Sequence, residues 1–180
     1  MNYIKITKYD IANGSGVRCV LWCSGCTIHC NNCQNPQTWD FDAGQLFDNS
    51  AKKELFDALR KPWIQGLTLS GGHPLEYENL PAVYDLIKEV KEKFPDKDIW
   101  LYTGYKLNID DFTTMFKGLS RTDIQHNYIY QILNHCDVVV DGPYIESLRD
   151  ISLKFRGSSN QRLINVKETL KQHKIILLEE

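Results

Sequence analysis

The sequence predicts an α/β fold built on a largely parallel sheet. Three observations support this. Short apolar segments alternate with amphipathic ones, most of the short segments end in turns carrying glycine or proline, and 180 residues suffice for a single domain, 1–180, with its own hydrophobic core. Residues 17–22 read as a strand that runs into a cysteine-rich loop. Residues 50–59 read as a helix with Leu55, Ala58 and Leu59 on one face and Pro62 beyond its end. Residues 66–69 form a strand ending in the turn Ser70-Gly71-Gly72-His73-Pro74. The strongest helix spans 80–94, where Leu80, Val83, Ile87, Val90 and Phe94 recur every three or four residues before Pro95. A strand at 99–102 ends at Thr103-Gly104, helices are expected at 110–116 and 128–133, and a strand at 138–141 ends at Gly142-Pro143. Residues 163–166 read as a last strand, followed by a short helix at 167–173. In parallel sheets the C-terminal strand ends collect the functional loops, so the cysteine loop, 70–74, 103–104 and 142–143 are expected on one rim.

Composition narrows the function. Apolar residues make up 42% and charged residues 24%, and the net charge is −2. No bulk electrostatic attraction to nucleic acid or an anionic membrane follows. No run approaches a membrane span, and residues 1–10 carry no secretory pattern, so a cytoplasmic protein is expected.

The cysteines carry the chemistry. Five of the six fall between Cys19 and Cys33, and Cys136 stands alone. A disulfide framework spreads its cysteines to close several loops, whereas this clustering points to metal or cluster ligation. Cys26, Cys30 and Cys33 have Cys-x3-Cys-x2-Cys spacing, and Cys19, Cys23 and Cys26 share it. The later triad is preferred. Its spacers are polar and turn-compatible, with Asn31 and Asn32 able to bend a loop, while Cys19 and Cys23 lie along the apolar strand on the same side as Leu21. Thiolates suit iron–sulfur clusters and zinc alike. A [4Fe–4S] cluster held by three cysteines leaves one iron open to an outside ligand. A zinc knuckle and a four-cysteine electron carrier are the alternatives. Cys136 is read as a core residue, His29 as solvent-facing or behind the ligands, and His126, His135 and His173 as ordinary structural or surface histidines.

These motifs resemble the radical S-adenosylmethionine superfamily. The triad Cys26, Cys30, Cys33 is similar to its cluster motif, and Ser70-Gly71-Gly72-His73-Pro74-Leu75 resembles its glycine-glycine-acid-proline loop. The likeness is closer still to its glycyl-radical activase branch, in particular to the activases of anaerobic ribonucleoside-triphosphate reductases. Residues 13–19, 98–105, 140–143 and 156–162 resemble segments of that branch in the same order. The resemblance implies a partial, side-open (β/α) barrel, and 180 residues are indeed few for a complete one, which takes about 250. It implies metal ligation by Cys26, Cys30 and Cys33, and cofactor binding by Asn32, Cys33, Gln34, Gly71, Gly72, His73 and Thr103. Tyr102 and Asp141 are further candidates at strand ends.

Two departures from the pattern stand out. His73 replaces the acid expected to hold the methionine amino group, and neutral imidazole keeps one acceptor nitrogen for that role, with backbone carbonyls as the alternative. Asn32 replaces the aromatic that many superfamily members place against adenine, which makes Gln34 and Asn35 candidates near the nucleoside. Gly71 and Gly72, lacking Cβ, are expected to let backbone approach the ligand. Residues 156–162 are expected to bind the S-adenosylmethionine carboxylate, brace the rim, or touch a partner.

The implied activity is that of an oxidoreductase. One electron from a small donor such as flavodoxin reduces the cluster, S-adenosylmethionine is cleaved, and the resulting radical takes hydrogen from a glycine of the reductase. A homodimer or a complex with a reductase dimer is compatible with this. An activase for a formate-lyase-like enzyme is the nearest alternative, and a non-catalytic electron carrier or zinc module the more distant one.

Overall fold

The computed structural model describes every residue of the chain except Lys117, Leu119 and Glu180. Its elements run β1 (Asn2–Asp10), β2 (Arg18–Cys23), β3 (Gln45–Leu46), α1 (Asn49–Leu59), β4 (Gly66–Gly71), α2 (Leu80–Lys93), β5 (Asp98–Tyr102), α3 (Asp110–Thr113), α4 (Arg121–His135), β6 (Val138–Asp141), β7 (Arg162–Asn165) and α5 (Val166–Gln172). One open seven-stranded sheet has the order β3-β1-β2-β4-β5-β6-β7.

The parallel expectation holds for the centre and fails at both edges. β2, β4, β5 and β6 pair in parallel. β1 and β3 pair antiparallel on one side, and β7 antiparallel to β6 on the other. Parallel neighbours need a crossover, usually a helix. α1 and α2 supply it between β2 and β5, and α3 and α4 between β5 and β6. Between β6 and β7 lies only irregular chain and one short 3-10 turn, so the return is antiparallel. β1 escaped the sequence reading because its pattern is mostly half-exposed, with no clean alternation.

Helix boundaries follow the capping chemistry. Asp48 caps α1 by accepting from the N–H groups of Ser50 and Ala51. The helix expected at 128–133 is longer, Arg121–His135, because Ser120 and Asp123 form a reciprocal capping box well upstream of the apolar stretch. The helix expected at 110–116 is only four residues, Asp110–Thr113. Among the described residues, no helix is long and apolar enough to cross a membrane.

The sheet has two unlike faces, set by strand alternation. Cys19, Leu21, Leu67, Leu69, Ile99, Leu101, Val139 and Ile164 pack with the buried residues of α1, α2 and α4 in one large core. On the opposite face Trp100, Val138, Val140 and Leu163 form a small cluster against Tyr102 and Phe155. Among the described residues that face is covered by irregular chain, and a cavity opens there.

Candidate functional site

The four loops expected to share a rim do so. One cavity of about 400 Å³ is lined by Cys26, Cys30 and Cys33 from the cysteine loop, Ser70 to His73 after β4, Thr103 and Gly104 after β5, and Gly142 after β6. A cavity of this size suits a nucleoside-scale ligand. Trp22, Tyr102 and Phe155 extend the wall across the helix-free face.

The cysteine loop is closed on itself at its root. Gly25 N–H donates to Thr38 O at 2.8 Å and Cys26 N–H to Trp39 O at 3.0 Å. His29 (φ 47°) and Asn32 (φ 55°) take left-handed backbone angles that turn the chain between the thiols. Asn tolerates this conformation well, which gives Asn32 a backbone role. Its exposed side chain is not part of the cavity wall, in contrast to the expected contact with the cofactor, whereas Gln34 and Asn35 are.

Gly71 and Gly72 line the cavity, but their missing Cβ atoms serve the protein first. Gly71 has φ 101°, and a Cβ there would lie 2.7 Å from Cys23 O; one on Gly72 would lie 2.5 Å from Gly25 O. The close approach is between this turn and the root of the cysteine loop. It is sealed by Gly72 N–H to Cys23 O at 2.8 Å and His73 N–H to Gly25 O at 2.7 Å.

His73 is placed differently from the expectation. Its side chain is 1% exposed and both ring nitrogens are engaged inside the protein. Nδ1 lies 3.1 Å from Glu76 Oε1, and Nε2 lies 2.7 Å from Thr103 Oγ1. An ionised carboxylate only accepts, so the Nδ1 nitrogen facing Glu76 is a donor, while Nε2 is taken up by the Thr103 hydroxyl. In this structure both ring nitrogens are thus engaged by the protein itself.

Glu76 was not singled out from the sequence, and it joins these parts. Its Oε1 accepts from both the N–H and the hydroxyl of Thr27, each at 2.8 Å. Thr27 directly follows the first triad cysteine. Burial pushes the Glu76 carboxyl up, but the bonds from His73 and Thr27 outweigh it and hold the group below its ordinary value. The signal available in the sequence was an acid three residues after the unusual His73.

The thiols divide by environment. Cys19 and Cys23 are fully buried in the main core, and burial pushes each up to about 12. Burial also pushes the Cys136 thiol up. Burial raises Cys26 as well, but its sulfur accepts from the N–H groups of Ile28 and His29, which favour the thiolate. Cys33 Sγ accepts from Asn35 N–H at 3.3 Å. Amide bonds to sulfur stabilise and tune a cluster's thiolates. Beside them, Trp39 stacks on His29 with ring centroids 4.5 Å apart, and its buried indole N–H finds no partner among the described residues. That orphan donor in the cavity wall fits an acceptor such as a cluster sulfur. Among the described residues no three His, Cys, Asp or Glu side chains converge on a point suited to one metal ion. A cubane has no such need, because each thiolate meets a different iron.

The segment after Arg156 braces the rim. Asn160 donates to Pro143 O, Gln161 to Gly142 O, and Arg162 pairs with buried Asp141 while donating to Leu107 O at 2.7 Å. Asp141 is therefore occupied structurally and does not line the cavity, while Arg156 does.

Comparison with known proteins agrees with this geometry. The model of a 4Fe-4S single cluster domain matches residues 12–164. The anaerobic ribonucleoside-triphosphate reductase-activating protein of Enterobacteria phage T4 is 42% identical over 163 residues, covering 91% of this chain and 93% of that protein. Its namesakes from Haemophilus influenzae and Escherichia coli K12 are 40% and 37% identical, each covering 89% of this chain and 96% of theirs. The chain belongs to the family of anaerobic ribonucleoside-triphosphate reductase-activating proteins.

Proposed function

We propose that this protein activates an anaerobic ribonucleoside-triphosphate reductase by generating a glycyl radical on it, through reductive cleavage of S-adenosylmethionine. Cys26, Cys30 and Cys33 would hold the [4Fe–4S] cluster. The observation that carries this reading is the meeting, in one cavity, of three thiols from one loop with the turns after three successive parallel strands. A three-thiolate cluster keeps one iron open, and when bound it supplies the electron that splits the sulfonium into methionine and a 5′-deoxyadenosyl radical.

The chain's own residues bind, orient and exclude water. The N–H groups of Ile28, His29 and Asn35 stabilise the thiolates. The Gly71-Gly72 turn offers backbone at the cavity wall, and Gln34, Asn35 and Thr103 offer polar groups to the nucleoside and amino-acid ends. Trp22, Trp39 and Phe155 give the cavity apolar walls that shelter a reactive carbon radical. With helices on one face and the cavity on the other, the open sheet is taken as a side-open (β/α) barrel, whose gap admits another protein's chain. A small electron donor such as flavodoxin and a cytoplasmic setting complete the reading.

Anaerobic reconstitution tests it. The expected result is about four irons per chain, methionine and 5′-deoxyadenosine formed with dithionite, and a glycyl radical signal when a cognate reductase is added. Iron without cleavage would mean an electron carrier. A radical formed on a formate lyase and not on the reductase would change the partner.

A further inference from the structure

Resting on the function proposed above, we propose that the lobe of residues 143–153 is the docking surface for the reductase segment that carries the radical glycine. Tyr144 and Leu153 of this lobe line the cavity. Between them Ile145, Leu148 and Ile151 recur every three residues and face solvent, with Leu148 41% and Ile151 88% exposed.

The backbone beneath them is held firmly. Ile145 N–H donates to Ser158 Oγ at 3.2 Å, Ser159 N–H to Leu148 O at 2.9 Å and Asp150 N–H to Gly157 O at 3.2 Å, while Arg149 and Ser158 pair as an isolated bridge. Ser158 is fully buried. The lobe is thus an ordered platform that presents aliphatic side chains to water. Lone exposed aliphatic residues are ordinary, but three grouped on one braced lobe beside a functional cavity mark an interaction surface.

The chemistry names the occupant. A radical made in the cavity reaches only a Cα that enters it, so the partner's glycine segment must cross the cavity's edge. The cysteine-loop side of the cavity offers one partly buried apolar residue, Ile28, with the exposed polar pair Asn31 and Asn32 outside the wall. Charges on the lobe are of both signs, Glu146 and Asp150 against Arg149, and the net of −1 is too small to select the partner by itself. Ile11, 76% exposed beside the wall residue Ala12, is a lone aliphatic residue, whereas the lobe carries three, so the anchoring is assigned to Ile145, Leu148 and Ile151. The structure therefore assigns the reductase a glycine-bearing segment flanked by apolar side chains that rest on this lobe.

The test uses reconstituted holoprotein and purified cognate reductase. Ile151→Asp and Leu148→Asp should each weaken binding, measured by anaerobic calorimetry, by about tenfold, the loss typical of an apolar anchor. They should raise the reductase concentration needed for half-maximal glycyl radical yield by the same factor. Iron content and thermal unfolding should match the parent, and Ile151→Leu should restore binding. Trp63→Asp, an exposed apolar position outside the cavity wall, should leave affinity unchanged. Parent-like affinity in an Ile151→Asp, Leu148→Asp double variant would overturn the proposal. So would a change of self-association with unaltered reductase binding, which would mean a second copy covers the lobe. Failure of the function itself would show separately, as absence of a glycyl radical with the parent protein.

Discussion

Replacing Glu76 by alanine removes a carboxylate that bonds Thr27 of the cysteine loop and the His73 side chain after the Gly71-Gly72 turn together. The structure sets the size of the effect. Glu76 is 5% exposed and His73 1%, so His73 Nδ1–H loses its acceptor with no water to replace it, at about 1–3 kcal/mol. Thr27 is exposed, so its N–H and hydroxyl recover water bonds, and their loss adds about 0.5–1 kcal/mol. The sum is roughly 3 kcal/mol, which lowers the melting temperature of a domain this size by about 6–12 °C. Glu76→Gln isolates the charge. All three donors meet Oε1, so an amide oxygen there retains them, and the expected loss is about 1 kcal/mol, or roughly 2–4 °C. Circular dichroism melts of the apoprotein and iron analysis after reconstitution read both. Because the Glu76 carboxyl is held below its ordinary 4.5, the stability it adds is present above that pH. It is lost as pH falls through the lower folded value, so the gap between parent and Gln variant should close in acid. An alanine variant melting within about 2 °C of the parent, with the same iron content, would refute the bracing role.

Three further outcomes are expected. Cys26→Ala, Cys30→Ala and Cys33→Ala should each abolish S-adenosylmethionine cleavage. Cys136→Ala, Cys19→Ala and Cys23→Ala should keep the iron and lose only core packing, about 1–2 kcal/mol each in denaturant melts. Gly71→Ala places a Cβ against Cys23 O at φ 101°, and should cost at least about 2 kcal/mol in the same assay. Trp39→Phe keeps the ring that stacks on His29 and removes the orphan N–H. A redox titration should find the cluster potential more negative than in the parent, with apoprotein stability undiminished.

Much of this was legible in the sequence because its signals are local. The apolar spacing of α2 and the cysteine spacing are read within a few residues, and the strand-end rule then gathers the loops without knowledge of any contact. What stayed hidden depends on partners distant in the chain. β1 carries no alternation of its own and is a strand because β2 and β3 pair with it. Glu76 looks like any acid near a turn until the fold brings Thr27 to it. The surroundings of His73 stayed hidden for the same reason: Thr103 and Glu76, distant or unremarked in the sequence, take its two nitrogens. Gly71 and Gly72 stood out in the sequence as cofactor-binding candidates, and the fold adds that a Cβ there would meet Cys23 and Gly25 of the chain itself.

Mössbauer spectroscopy of the iron-57-labelled cluster, with and without S-adenosylmethionine, bears most directly on ligation by Cys26, Cys30 and Cys33 alone. One iron of the four should change its parameters when S-adenosylmethionine binds while the other three stay as they were. Four irons that are indifferent to S-adenosylmethionine would contradict a three-cysteine site.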